Sequence, residues 1–367
     1  MTFNRMLRLI AIAALPAAVF CQNATNVAPI PSDPLEMVTG PIQVVTTPEG
    51  RETALKLLTR ARSNYALGGA AVAYNLKASF TVNSGGQTQY DGAWEMEQTY
   101  VPKQGTRWSA TSAAGYTTTQ LFLNQIHYGE GTLNIIPLRL HQARSALFGA
   151  IATPLYTDRD LIRTSAASFH GLQLTCVLLS GAGNAATPTP GRRWEESEDC
   201  IDPQSGLLYL HSLAPGIYEA YDYASAPKLG SHTMPRRVVI TEGGKEVMEL
   251  HVDSLTQLPA ADPALFVPTA EMKSNEQGVS MQEARKISKL GRPGRITPNT
   301  IIQPVCVFGL ITPSGQLIEA HSLQPLDPNS EAAVEAAKRI TFPSPTPPGG
   351  RPEQRFAFII EDYVISQ

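Results

Sequence analysis

Seven histidines, four cysteines and 32 carboxylates are the side chains of this 367-residue chain that could do chemistry. His127, His141, His170, His211, His232, His251 and His321 are scattered. No two stand at i, i+2 or i, i+4, so no single strand or helix offers paired imidazoles to a metal. There is no HExxH, no GxSxG and no phosphate-binding Walker loop. GAGNAA, from Gly181, fits the GxGxxA pattern, but TPTPG follows where a dinucleotide site needs a helix, so the segment reads as a hairpin loop. In SAPK, Pro227 opposes the helical turn that would bring Lys228 onto Ser225. Asp158 and Asp160 read as a loop leading into the start of a helix. Trp194-Glu195-Glu196 and Glu198-Asp199 read as a solvated acidic strand edge that discourages edge pairing. Scattered donors without an activating neighbour imply no catalytic residue, no metal and no cofactor.

The cysteines carry more information. Cys176 lies in the strand-like GLQLTCVLLS, and Cys200 closes RRWEESEDC, with a Gly- and Pro-rich turn between them. In an exported chain these two are expected to pair. A bridge closing about 25 residues contributes about 3.5 kcal/mol in the chain-entropy account. The competing metal reading lacks a nearby histidine. Cys306, in PVCVFGLI, reads as a small buried hydrophobe.

Export itself is read from the start of the chain. Arg5 and Arg8 precede the apolar LIAIAALPAAVF, and a polar, Pro-rich CQNATNVAPIPSDP follows. This is the order of a signal peptide over 1–21, with cleavage after Cys21. Lipid attachment at Cys21 is the alternative, opposed by the bulk of Phe20. The apolar run is shorter than the ~20 residues a membrane span needs. With 29 basic against 32 acidic residues and no basic stripe, nucleic acid is not an expected partner.

The elements that would position these residues follow from periodicity. After a Pro-rich linker (22–48), EGRETALKLLTRARSNYALGG places Leu55, Leu58, Ala61 and Tyr65 on one helical face. From Tyr74 the period changes to two, and alternating segments follow one another to about 257 with Gly, Pro, Asn or Asp at each turn. IIPLRLHQARSALFGAI interrupts with a second helical pattern through Leu140, Ala143, Leu147 and Ala150. A strongly curved antiparallel sheet with helices against its inner face packs such a meander. Phe80, Trp94, Trp108, Phe122 and Tyr128 fall on successive strands. They read either as ordinary core or as the lining of an apolar ligand cavity.

The region 49–272 resembles the LolA/LolB-like lipoprotein-carrier superfamily. The likeness rests on LKLLTRARSNY, YDGAWEMEQTYVPKQGTRWS, CIDPQSGLLYL and GKEVMELHVDSLTQLPAADPALFVP. It implies a half-open β-barrel lidded by helices, holding acyl chains in an apolar concavity and carrying no catalytic residue. A polar linker (273–295) leads to 296–367, which resembles the TonB C-terminal domain. VCVFGLITPSGQLIEAHSL stands for its first hairpin with Gly315 at the turn, LDPNSEAAVEAAKRITFPSP for its helix and exit, and GGRPEQRFAFIIEDYV for its last strand. That likeness implies a β-β-α-β unit able to pair an edge strand with a partner peptide. The chain is thus expected to be an α+β, exported, non-enzymatic cell-envelope protein. It would bind a lipid or acyl chain in the curved sheet and meet an envelope protein through its terminal unit. The alternatives are a scaffold or adaptor with no ligand cavity, or a TonB-type transport component.

Overall fold

A computed structural model describes residues 26–27, 37–65, 67, 70–86, 88–124, 126–132, 136–151, 160–181, 191–259, 262–274, 289–290, 301–342 and 354–365. The expected signal peptide, Cys21, Asp158, the loop 182–190 and most of both expected linkers lie outside the described residues, and the helix expected after Asp160 is instead a strand, Leu161–Phe169.

Alternation of apolar and polar residues produces the main body. Its strands are β1 (Tyr74–Val82), β2 (Gly92–Val101), β3 (Gly105–Ser112), β4 (Thr117–Leu123), β5 (Ile126–Gly131), β6 (Leu161–Phe169) and β7 (Leu172–Ser180). They continue as β8 (Ser197–Ile201), β9 (Leu208–Ala214), β10 (Ile217–Asp222), β11 (Arg237–Glu242) and β12 (Lys245–Gln257). All pair antiparallel in the spatial order β5-β4-β3-β2-β1-β12-β11-β10-β9-β8-β7-β6. Two-residue strands at Val38–Thr39 and Gln43–Val44 join β6, and Lys273–Ser274 joins β5, completing a 15-stranded curved sheet that does not close.

Two helices cover the inner face. α1 (Pro48–Tyr65) starts where the Thr47 hydroxyl accepts the Gly50 N–H at 3.1 Å, with Pro48 at the first helical position. It buries Ala54, Leu58, Ala61 and Tyr65, a stripe at helical spacing. α2 (Leu138–Phe148) is different, because every residue from Leu138 to Leu147 is buried. Its Leu140, Ala143, Ala146 and Leu147 meet the inner-face core of β1–β3 and β10–β12.

The terminal residues follow in the order strand, strand, helix, strand: β13 (Ile301–Ile311), β14 (Leu317–Ser322), α3 (Ser330–Lys338) and β15 (Arg355–Ile365). β13 is central, paired antiparallel with β14 and β15. Gly315, at the β13–β14 turn, has φ +84°. A Cβ there would lie 2.1 Å from the Phe342 carbonyl oxygen, so the turn requires glycine. One face of this small sheet packs Val305, Val307, Ala357 and Ile359 on Ala333 and Ala337 of α3, with Phe342 sealing the helix exit. Its other face, with Cys306, Phe308, Leu310, Phe356 and Phe358, packs on Leu138 of α2, Trp194, and Leu213, Ala214 and Ile217 of the β9–β10 hairpin. The unit is therefore docked on the large sheet, and α2 is held between the two.

Candidate binding site

Strand register sorts the aromatic candidates, because directly opposed residues point to the same face. One row across the sheet reads Phe80, Trp94, Ser112, and the next reads Ala78, Met96, Ala110, Thr118. The third is Leu76, Gln98, Trp108, Gln120, and the fourth, at the rim, is Tyr74, Tyr100, Thr106, Phe122, His127. All four rows are on the inner face. Phe80, Trp94 and Trp108 are buried there, and Phe80 stacks on Trp94 with ring centroids 5.4 Å apart. Tyr90 and Tyr116 close round Trp94, whose indole N–H donates to the Tyr90 carbonyl at 2.9 Å. This part of the concavity is filled by its own rings.

Phe122 is on the same face but 40% exposed, its ring centroid 4.5 Å from that of His127 with the planes tilted by 37°. Tyr128 is not with them. It opposes Leu121 across β4–β5 and packs with Phe266 and Met272 on the outer face. The five aromatics expected to act together are thus three in the inner core, one at its rim and one on the opposite side. The phase of β5 sets that last placement, since a shift of one residue exchanges faces.

Three polar groups are buried on or beside the inner face. At the β1–β4 end, Arg144 of α2 is 8% exposed. Its guanidinium carbon lies 3.8 Å from the centroid of the Trp108 ring and 5.5 Å from that of Phe148. Its other contacts are the Gln98 amide oxygen at 3.4 Å and the Met96 sulfur at 4.0 Å. Gln98 in turn donates to the Tyr74 hydroxyl at 2.9 Å. Among the described residues no carboxylate meets this cation. Burial lowers its pKa to about 9 and pushes the Tyr74 phenol up to about 12, so both groups keep their protons at neutral pH.

Under α1, the cross-strand row Asp199, His211, Glu219 is buried. His211 Nδ1 is 2.7 Å from an Asp199 oxygen, and the Tyr221 hydroxyl donates to Glu219 at 2.6 Å. Burial first, then the Glu219 carboxylate, push the Tyr221 phenol well up. The third group joins the two sheets. Glu242, on β11, accepts from Arg139 at 2.6 Å and from Gln142 at 2.7 Å, both on α2, and pairs with His321 of β14. Burial acts to raise its carboxyl, but Arg139 and His321 overcome that and hold it well below the usual range. Glu319, left-handed at φ 48°, turns its carboxylate to accept the Leu138 N–H at 3.1 Å, capping the start of α2. Gln354 accepts the preceding Ile136 N–H at 3.0 Å.

The acidic segment expected to be solvated is the reverse. Glu196, Glu198 and Asp199 are buried. Arg163 donates to Glu196 through Nε at 2.6 Å and through Nη2, while Arg192 meets Glu198 at 3.1 Å. Arg163 reaches Glu196 from β6, 33 residues away, while Arg192 comes from the same stretch and folds back on Glu198, a pairing that an acidic strand edge does not reveal. Cys176 and Cys200 oppose each other across β7–β8 and form a disulfide. Glu198 lies beside them, but sulfurs in a disulfide cannot serve as thiolate ligands. Cys306 is a buried free thiol. A groove of about 550 Å³ runs along the outer side of α1, lined by Pro48, Arg51, Glu52, Leu55, Lys56, Thr59 and Arg60. Its lysine and acid are solvated and paired with each other, so it offers no convergent recognition. No helix among the described residues is long and apolar enough to cross a membrane.

Arg144 escapes a sequence reading based on charge clustering. One signal was available: it stands at i+4 from Leu140 and i−3 from Leu147, on the apolar stripe itself.

No family model and no curated protein sequence matches the chain. Among solved structures, it is similar to a LolA superfamily protein from Nitrosomonas europaea, with 12% identity and a TM-score of 0.36 over 58% of this chain and 97% of that one. It is also similar to a DUF1329 family protein from Desulfovibrio piger, with 9% identity and a TM-score of 0.37 over 61% and 98%. A third is MucB in complex with MucA, with 13% identity and a TM-score of 0.27 over 70% and 74%.

Proposed function

We propose that the protein is an exported, non-enzymatic binder of the cell envelope that holds a lipid or acyl chain against the inner face of the large sheet. The observation that carries this reading is the rim row. The inner face does not end in a sealed core but continues to Phe122, 40% exposed, with Tyr100, Thr106 and His127 half-buried beside it. An aromatic on a concave face, open on one side and continuous with buried apolar rows, is the entrance that an apolar chain requires. The buried Asp199–His211–Glu219 row supports the non-enzymatic half of the reading, because its charged atoms lie beneath α1 and are closed to a substrate. Gently purified protein, examined by native mass spectrometry and lipid extraction, should carry acyl chains. Protein that arrives bare and takes up no neutral apolar fluorophore would sink the reading.

The terminal unit supports a protein contact as well. The outer edge of β15 pairs with Lys289–Leu290 over two residues, and the strand spans Arg355–Ile365. Among the described residues no other strand pairs with that edge, which supports pairing with an extended peptide. Pull-down of envelope proteins by the full chain, with and without a competing strand peptide, separates this contact from a scaffold role that needs no cavity.

A further inference from the structure

We propose that Arg144 is the headgroup reader of the inner face: its guanidinium takes the carboxylate or phosphate of an anionic amphiphile whose chain lies along the neighbouring apolar rows. The proposal rests on the apolar-ligand reading above and names its chemistry.

Removing a cation from water costs several kcal/mol even after relaxation, and buried charges are normally offset by an opposite charge. This molecule follows that rule elsewhere. Arg139 meets Glu242 and Arg163 meets Glu196, each pair buried. Arg144 is buried too, yet its partners are two aromatic faces, a thioether sulfur and an amide oxygen at 3.4 Å. The Trp108 face supplies about 2 kcal/mol when desolvated, and an N–H···O contact of 3.4 Å is beyond the usual range. A guanidinium presents five donors in a planar fork that matches carboxylate and phosphate oxygens. The guanidinium carbon lies over the Trp108 ring, and among the described residues its two Nη atoms meet only the Met96 sulfur and the distant Gln98 oxygen, weak acceptors that an anionic headgroup would replace.

Arg144 also stands close to the rim. Trp108 and Gln98 belong to the row immediately inward of Phe122, and one such step along a strand is about 7 Å. A headgroup entering at the rim therefore meets Arg144 after passing one layer of side chains. The next row inward, Ala78, Met96 and Ala110, is small or flexible, and a chain that enters ahead of its head would lie along it with the head held at Arg144.

The test uses the delipidated full chain and three ligands with one tail, each below its micelle concentration: laurate, dodecyl phosphate and dodecanol. The wild type is expected to bind at least one of the two anions tenfold or more tightly than the neutral alcohol, and the better anion identifies the head. Arg144→Gln should lose that preference while binding dodecanol as before. Gln98→Glu places a counter-ion where the amide now stands, so it should fold at least as stably and lose the preference in the same way. Equal wild-type affinity for all three tails would overturn the headgroup reading and leave the lipid reading standing. A preference that survives in folded Gln98→Glu would overturn it too. Failure of every tail to bind, dodecanol included, would overturn both.

Discussion

Arg139 and Arg144 stand on the same helix and are both buried, yet the molecule treats them in opposite ways. Arg139 is neutralised by Glu242, and the same carboxylate also holds Gln142 and His321, so one acid fastens α2 to β11 and to the terminal sheet. Arg144, little more than one turn later, is set against rings and an amide. The first arrangement is a closed ionic joint. The second leaves a desolvated cation with attraction to spare. A buried arginine therefore does not have one meaning, and only its partners separate a fastening from a receptor.

Breaking the joint should produce the largest effect. Arg139→Met leaves Glu242 with a lost partner in the interior, and we expect a loss of about 3–5 kcal/mol in denaturant unfolding. An unchanged midpoint would mean that Gln142 and His321 suffice. Acid should attack the same joint. The Glu242 carboxyl is depressed in the folded protein, so its stabilisation is complete above the unfolded value of about 4.3 and is lost as pH falls towards the folded one. Stability should therefore drop on acidification below about pH 4.5, and Glu242→Gln should flatten that part of the profile. Removing the ring beneath Arg144 is the next step down. Trp108→Leu should cost about 2–3 kcal/mol, combining lost packing with a lost cation–π contact. The smallest effect is expected at Arg144 itself. Arg144→Met should change stability by about 1 kcal/mol or less in either direction, because an apolar stem of similar volume replaces a cation that no carboxylate meets among the described residues. A loss as large as that of Arg139→Met would erase the contrast between the two sites.

Periodicity made much of this legible. The stripe Leu58, Ala61, Tyr65 marked α1, the alternation from Tyr74 marked the meander, and two cysteines flanking a turn marked the disulfide. The strand–strand–helix–strand order of the end was equally readable, with Gly315 placed at its turn by resemblance, while the requirement for glycine there comes from the approach of the Phe342 carbonyl. What resisted were features fixed by three-dimensional closure. Glu196 and Glu198 look solvated until Arg163 arrives from β6 and the chain bends to bring Arg192 onto Glu198. α2 is too evenly buried for amphipathic spacing to show which of its charges turn inward. Tyr128 sits on a short strand whose phase depends on one turn. The docking of the terminal sheet on α2 relies on apolar faces that sequence assigns to a core without saying whose core it is.

The Cys176–Cys200 bond has a consequence of a different kind. It makes residues 176–200 a covalent ring set into the sheet, so the backbone between the two cysteines is not the sole path from one half of the chain to the other. A protease that cuts once inside that ring leaves a single molecule, migrating as intact chain until a reductant divides it at the cut. The linear order of the polypeptide and the connectivity of the folded protein are thus distinct properties here, and β7 and β8 remain neighbours even when they no longer share a continuous backbone.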